Sequence, residues 1–363
     1  MNGMERGGDW GGRMSGENHG GDWTGTYLDF SANVSPFGVP DGVQRAIREA
    51  ASVADRYPDP LCRRLRAAIG DAERVPPDWI LCGNGAADLI YRAAFAQRPK
   101  RAVVTAPAFS EYETALSLSD CDIVRYPLCA ERDFRLDAGF LNVLTPETDM
   151  AFLCQPNNPT GVTTEKALLF RILKRCREIE CRLVLDECFL DFLERPEDFS
   201  LKDALSDFPN LAILRAFTKF YGMAGVRLGY ALCSDAAFSD AMRRSGPPWS
   251  VSVLAQAAGI AALRETDSVS RLRALISVER PRLYSELREM GLRVIPGEAN
   301  FLLFQSPSPL DEPLKRRGIV LRNCGNFRGL DHTWYRVAVR TEAENRRLTA
   351  ALRGILCAER NGL

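Results

Sequence analysis

The sequence predicts an α/β fold: a large unit on a mostly parallel sheet flanked by helices, followed by a smaller α+β unit. Two observations predict it. Short aliphatic and β-branched runs alternate with helical patterns up to about residue 250, and those runs are apolar almost throughout rather than at every second position. Strands of that kind are buried on both faces, which a parallel sheet covered by helices provides. Beyond that point the alternation gives way to a long helical stretch, three strand-like runs and a terminal helix.

Taken in order, residues 1–25 are rich in glycine and nearly free of aliphatic side chains, so a flexible leader is expected there. Residues 26–50 are expected to pack with the smaller domain, 51–246 to form the large domain and 247–363 the small one. In the large domain RAVVTA (101–106) reads as a strand before the helical FSEYETALSLS, and MAFLCQ (150–155) as a strand before TEKALLFRILKRCREI. CRLVLDE (181–187), LAILRAF (211–217) and LGYALCS (228–234) supply further strands. After SGPPWSVS one helical stretch is expected to reach about residue 290, followed by strands in LRVIPGEANFLLFQ, GIVLRNC and WYRVAVRT and a closing helix. No internal repeat is present.

Composition narrows the class of function. Charged residues make up 26% of the chain and apolar ones 46%, the balance of an ordinary globular protein, and the formal net charge is zero. Nothing in that balance would draw the chain to nucleic acid or to an anionic membrane. No apolar run is long enough to span a bilayer, and no secretory h-region is present. The eleven cysteines form no C-x-x-C pair and several sit in strand-like runs, which suits buried thiols in a reducing cytoplasm and no metal site.

Ligands of open α/β sheets bind beyond the carboxyl ends of the strands, so the polar residues there matter most. PNNPTG follows 150–155, Asp186 ends the next strand, and Thr218 and Lys219 follow 211–217. The turn CGNGAADLI places the backbone N–H groups of Gly85, Ala86 and Ala87 at the start of a helix, where an anion is held well. Lys219 and Arg227 lie in AFTKFYGMAGVRLGY, a stretch too apolar for a solvated helix face. A lysine and a carboxylate in one crevice could be a simple ion pair. Amine, carboxylate, amide, arginine and helix N-terminus together suit one ligand, pyridoxal 5'-phosphate.

The order GNG, PAF, PNNPTG, DECF, TKFYGMAGVRLGY, YRVAVRT resembles the fold-type I pyridoxal-phosphate enzymes from about residue 28 onward. Within them it is similar to the branch that contains histidinol-phosphate aminotransferase and the threonine-phosphate decarboxylase of cobalamin biosynthesis. The resemblance implies that Lys219 takes the cofactor aldehyde and moves protons in catalysis. It implies that Asp186 faces the ring nitrogen, Asn158 donates to the ring phenolate oxygen, and Phe109 stacks on the ring. Arg227, the 85–87 turn and Thr218 would hold the cofactor phosphate, and Tyr57 would reach the cofactor of a neighbouring subunit in a homodimer. His19, Asn33, Arg322 and Arg336 are implied as substrate ligands, whereas Arg340 and His332 have no such expectation.

Two positions depart from the family pattern. Ala216 stands where a serine or threonine usually contacts the cofactor phosphate, and Phe189 where aminotransferases usually carry tyrosine. Phe189, NHGGDW (18–23), LDFSANVSP, LRNCGNFRGLD (321–331) and YRVAVRTEAEN (335–345) are more similar to the decarboxylases. The expected reaction is decarboxylation of L-threonine O-3-phosphate, or of L-serine O-phosphate. The alternatives are an aminotransferase acting on histidinol phosphate or an aromatic amino acid with 2-oxoglutarate, and a non-catalytic binder that retains the fold.

Overall fold

The computed structural model describes residues 20–360. The leader expected over 1–25 therefore falls outside the described residues as far as residue 19, and His19 with it. The described chain opens with a turn in which the Asp22 carboxylate accepts from the backbone N–H groups of Thr24 (2.9 Å) and Tyr27 (2.8 Å). A two-residue strand, β1 (Leu28–Asp29), then helix α1 (Asp41–Ala50) and helix α2 (Arg63–Glu73) lead into the large sheet.

That sheet has seven strands: β2 (Ile80–Gly83), β3 (Arg101–Ala106), β4 (Asp122–Pro127), β5 (Met150–Cys154), β6 (Arg182–Asp186), β7 (Leu211–Ala216) and β8 (Gly229–Leu232). Their order is β2-β8-β7-β6-β5-β3-β4. The pairs from β4 through β7 are parallel, as the apolar runs predict, and β5 and β7 are buried at every position. β8 runs against both β7 and β2, so the sheet is mixed at that end. Continuous burial reports that both faces are covered but not which way a strand runs, so periodicity left this reversal unmarked.

The helices cover the sheet with narrow apolar stripes. In α5 (Lys166–Glu178) the buried residues Leu169, Ile172, Leu173 and Cys176 recur at helical spacing, while arginines and lysines face out. α3 (Ala86–Gln97) and α4 (Glu111–Ser117) pack together beside α7 (Ala236–Arg244), whose N-terminus is capped by the Asp235 carboxylate on Ala237 and Phe238 N–H. The turn after β7 holds one short helix, α6 (Phe217–Phe220). Buried Arg215 ties that turn to the end of β6, pairing with Glu187 at 2.8 Å and Asp191 at 2.9 Å.

The single helical stretch expected to about 290 is two helices, α8 (Val253–Ala262) and α9 (Thr266–Glu289). Ser252 caps α8 by accepting from Ala255 N–H at 3.1 Å. α8 packs on α1 and α2 and belongs to the core of the large sheet, whereas α9 packs against α11 (Glu342–Arg360). The smaller sheet has the order β12-β13-β10-β9, from β9 (Arg293–Val294), β10 (Phe301–Gln305), β12 (Arg322–Asn323) and β13 (Trp334–Ala338). Short helix α10 (Asp311–Lys315) precedes β11 (Ile319–Val320), which pairs in parallel with β1. Phe30, just after β1, is fully buried in a second core shared by the small sheet, Phe189, Ala216 and Phe220. The two cores meet at the carboxyl edge of the large sheet.

Candidate active site

A cavity of about 370 Å³ lies at that edge, between the sheet and the smaller unit. Six of the seven strands, all but β4, contribute at or beside their ends. The turn after β2 brings Ala86 and Ala87, the segment after β3 brings Phe109, and the loop after β5 brings Asn158. Asp186 ends β6, Thr218 and Lys219 follow β7, and Arg227 precedes β8. The reversal of β8 is what places Arg227 here, since its amino end lies beside the carboxyl ends of β7 and β2. Asn33, Arg322 and Arg336 enter from the other side. The cavity walls carry four cations, Lys219, Arg227, Arg322 and Arg336, against two carboxylates, Glu111 and Asp186. Such a surplus calls for an anionic ligand.

Lys219 is half-buried in the cavity wall, and among the described residues its amine has no ion-pair partner. Burial brings it down to about 8, with Arg336 and Arg227 pushing the same way. A lysine so placed reaches its neutral, nucleophilic form far more readily than a surface one. The backbone around it is held from the N-terminal segment, since Ser35 N–H donates to the Lys219 carbonyl at 2.9 Å.

The phosphate end is shaped by what is missing. Gly85 has φ +84°, and a Cβ there would lie 2.7 Å from Arg227 Nη2. Gly229 lets β8 approach the start of α3, because its Cβ would lie 2.7 Å from Ala86 N. Arg227, itself at φ 59°, donates from Nη1 to the Ala224 carbonyl at 3.1 Å and leaves Nη2 beside the turn. Residues 85–87 and Arg227 thus lie together at one end of the cavity, a shape that suits an anion. Ala216 presents only a methyl to the same cavity, while the buried Thr218 offers a hydroxyl there.

Asp186 is nearly buried, and both its oxygens already accept hydrogen bonds. Tyr112 Oη donates to Oδ2 at 2.6 Å and Cys188 N–H to Oδ1 at 3.0 Å. Asn158 Oδ1 accepts from Arg336 Nη1 at 2.5 Å, which turns the Asn158 amide so that its NH₂ is the end left for a ligand. Arg336 also donates from Nη2 to the Ser31 carbonyl at 2.9 Å. It faces no carboxylate within ion-pair distance among the described residues, its Nε is unsatisfied, and burial lowers it to about 10. Arg322, also lowered by burial, bonds Asn326 Oδ1 at 2.8 Å and lies over the Phe327 ring. Both side-chain polar atoms of Asn33 are buried and unsatisfied. Such groups are costly unless a ligand completes them.

Three sequence expectations fare differently. Tyr57 is 81% exposed and meets the Trp249 ring at 4.7 Å in a tilted contact, away from the cavity of its own chain. Arg340 pairs with Glu344 at 2.8 Å and donates to the Asp29 carbonyl, an ordinary structural arginine, and His332 is exposed. Tyr112, Glu111, Phe327 and Cys188 line the cavity without having been singled out. Only Tyr112 carried a usable signal: it lies one helical turn from Phe109, on the same side of the incoming helix.

The site fits pyridoxal 5'-phosphate on its own geometry: an unpaired half-buried amine, a side-chain-free cradle under an arginine, and a carboxylate held by two donors. Comparison with known proteins agrees. Residues 25–352 match the family model for aminotransferase class I and II. The chain is 42% identical to threonine-phosphate decarboxylase of Salmonella typhimurium over 91% of each protein. It is 35% identical to histidinol-phosphate aminotransferase of Symbiobacterium thermophilum, covering 91% of this chain and 90% of that protein. Histidinol-phosphate aminotransferase from Sinorhizobium meliloti, solved in complex with pyridoxal-5'-phosphate, superposes with a TM-score of 0.80 at 25% identity, covering 90% of each chain. With the matched model spanning nearly the whole described chain, the protein belongs to the class I and II aminotransferase family.

Proposed function

We propose that the chain decarboxylates L-threonine O-3-phosphate with pyridoxal 5'-phosphate, releasing CO₂ and (R)-1-amino-2-propanol phosphate, the linker precursor of cobalamin. The observation that carries this reading is the 42% identity to a threonine-phosphate decarboxylase across nine tenths of both chains. The surplus of cations in the cavity supports it, because a phosphate and a carboxylate must both be held besides the cofactor's own phosphate. L-serine O-phosphate, one methyl smaller, is the second substrate expected, since a methyl discriminates only modestly.

When bound, the cofactor supplies an aldehyde for the substrate amine and an electron-withdrawing ring for negative charge at Cα. The chain does the rest. Lys219 Nζ is positioned to hold the aldehyde at rest and to move a proton at Cα. Asp186 sets a fixed negative charge where the ring nitrogen would lie, and Asn158 presents its NH₂ toward the ring oxygen. Arg322 and Arg336 take the substrate's two anionic groups, and their placement selects which bond at Cα breaks.

The exposed Tyr57–Trp249 pair supports a homodimer in which Tyr57 acts at the other subunit's site. Eleven free cysteines, eight of them buried, support a reducing cytoplasmic setting. Among the described residues no helix is long and apolar enough to cross a membrane.

Supplying L-threonine O-3-phosphate to the loaded enzyme, with no keto acid, is expected to give steady CO₂ release with the cofactor spectrum retained. No CO₂, with conversion of the cofactor to its amine form by histidinol phosphate, would establish the aminotransferase instead, a reading favoured by the 35% identical relative. Restoring the missing hydroxyl is a second expectation. Ala216→Ser adds one hydrogen bond at the phosphate end and should slow cofactor loss on dilution by about 2- to 10-fold, the worth of one such bond.

A further inference from the structure

Tyr112 belongs to no role assigned so far. Its side chain is 1% exposed, and its ring is clamped between two others: stacked on Phe152 at 5.2 Å with 14° between planes, and edge-on to Phe109 at 5.8 Å. Phe152 sits in the middle of β5, so α4 hands the tyrosine to a rigid strand. The hydroxyl donates to Asp186 Oδ2 at 2.6 Å and also meets the Cys154 thiol, and Asp186 Oδ1 is taken by Cys188 N–H. Burial first, and the carboxylate second, push the phenol well above its ordinary range, so it remains a donor at any working pH.

We propose that Tyr112 is a positioning residue for the cofactor's ring nitrogen: its hydroxyl fixes the Asp186 carboxylate in the orientation that faces that nitrogen. A carboxylate held by two donors on separate oxygens, Tyr112 Oη and Cys188 N–H, has one orientation left. The other groups facing Asp186 are the Lys219 amine and the Cys154 and Cys188 thiols, with Arg227, Arg336 and Glu111 further round the cavity. Both thiols are raised by burial and stay neutral. Among the described side chains that face it, Tyr112 gives this carboxylate its short hydrogen bond, at 2.6 Å, with the Cys188 thiol beside it. Without it, the carboxylate is free to turn from the ring nitrogen, which then loses positive charge, and the ring withdraws electrons less well. The inference rests on the pyridoxal-phosphate part of the proposed function and not on the substrate.

The test uses holoenzyme loaded with cofactor carrying nitrogen-15 in the ring, and reads the nitrogen and ring N–H resonances directly. In Tyr112→Phe the nitrogen resonance is expected to move toward the neutral-pyridine value. Turnover is expected to fall about 10- to 100-fold with KM changed less than about threefold, the scale of a hydrogen bond to a charged group. Incorporating 3-fluorotyrosine at position 112 makes a stronger donor of the same shape and should displace the N–H resonance in the opposite direction. It decides the matter alone if the phenylalanine protein does not fold. Wild-type resonances in both proteins overturn the proposal. So does a fall in turnover with the nitrogen resonance unmoved, which would mark Tyr112 as packing only. Failure to turn over L-threonine O-3-phosphate leaves the resonances readable, and so bears on the substrate rather than on Tyr112.

Discussion

Lys219→Ala is expected to leave a folded protein that cannot keep its cofactor covalently and turns substrate over roughly 10²- to 10⁴-fold more slowly, the span typical of a lost proton-transfer group. Borohydride reduction followed by mass spectrometry checks the first part: the wild-type chain gains the cofactor mass and the variant does not. The environment of the amine adds a pH expectation. With its value near 8 rather than 10.5, about a tenth of the apo-protein carries a neutral amine at pH 7, against about one in three thousand for an unperturbed lysine. Cofactor loading should therefore quicken about tenfold per pH unit below 8 and level off above it. The sign follows from the cause, since burial and the two arginines disfavour the charged amine. A rate still rising steeply through pH 9 would show that the amine is not held as described.

Arg336→Met is the second large effect, and it should separate binding from stability. The guanidinium is buried against two neutral acceptors, Asn158 Oδ1 and the Ser31 carbonyl, with no carboxylate at ion-pair distance among the described residues. Its charge is therefore costly until an anionic substrate arrives. Removing it should raise KM for the phosphorylated amino acid by about 10²- to 10³-fold, as loss of a charged pair at a binding site does. The melting temperature of the apo-protein should not fall. It would instead equal or exceed that of the wild type, the trade expected where function holds a group in an unfavourable place. A several-degree loss of apo stability with KM unchanged would make Arg336 a structural residue. Because Asn158 owes its orientation to the same contact, the variant should also bind the cofactor less tightly.

Much of this site was legible in the sequence because it is built from residues at strand ends, where chain order and chemistry coincide. Lys219, Asp186, Asn158 and the 85–87 turn each follow an apolar run, so locating the runs located the residues. Arg336 was legible for a different reason, a charge inside an apolar strand pattern. The Tyr112–Asp186 contact was hidden because it joins residues 74 positions apart, and a tyrosine at helical spacing from Phe109, Ala115 and Leu116 reads as core. The break between α8 and α9 left no mark either. Leu263, Arg264 and Glu265 are all good helix formers, and the chain turns there because α8 is captured by α1 and α2 while α9 is captured by α11.

The reversed pairing of β8 with β7 in the large sheet has a mechanical meaning. Lys219 and Arg227 both lie in the 217–228 connection between β7 and β8, whose bases are locked by the Ala216–Gly229 register. The residues proposed as covalent anchor and electrostatic clamp for opposite ends of one cofactor are thus mounted on a single β-hairpin. The hairpin works as a caliper, its jaw width set by local chain length rather than by the packing of distant elements. It is correspondingly intolerant of insertion: one residue added in the connection opens both jaws at once, a fault that no substitution elsewhere in the cavity could reset.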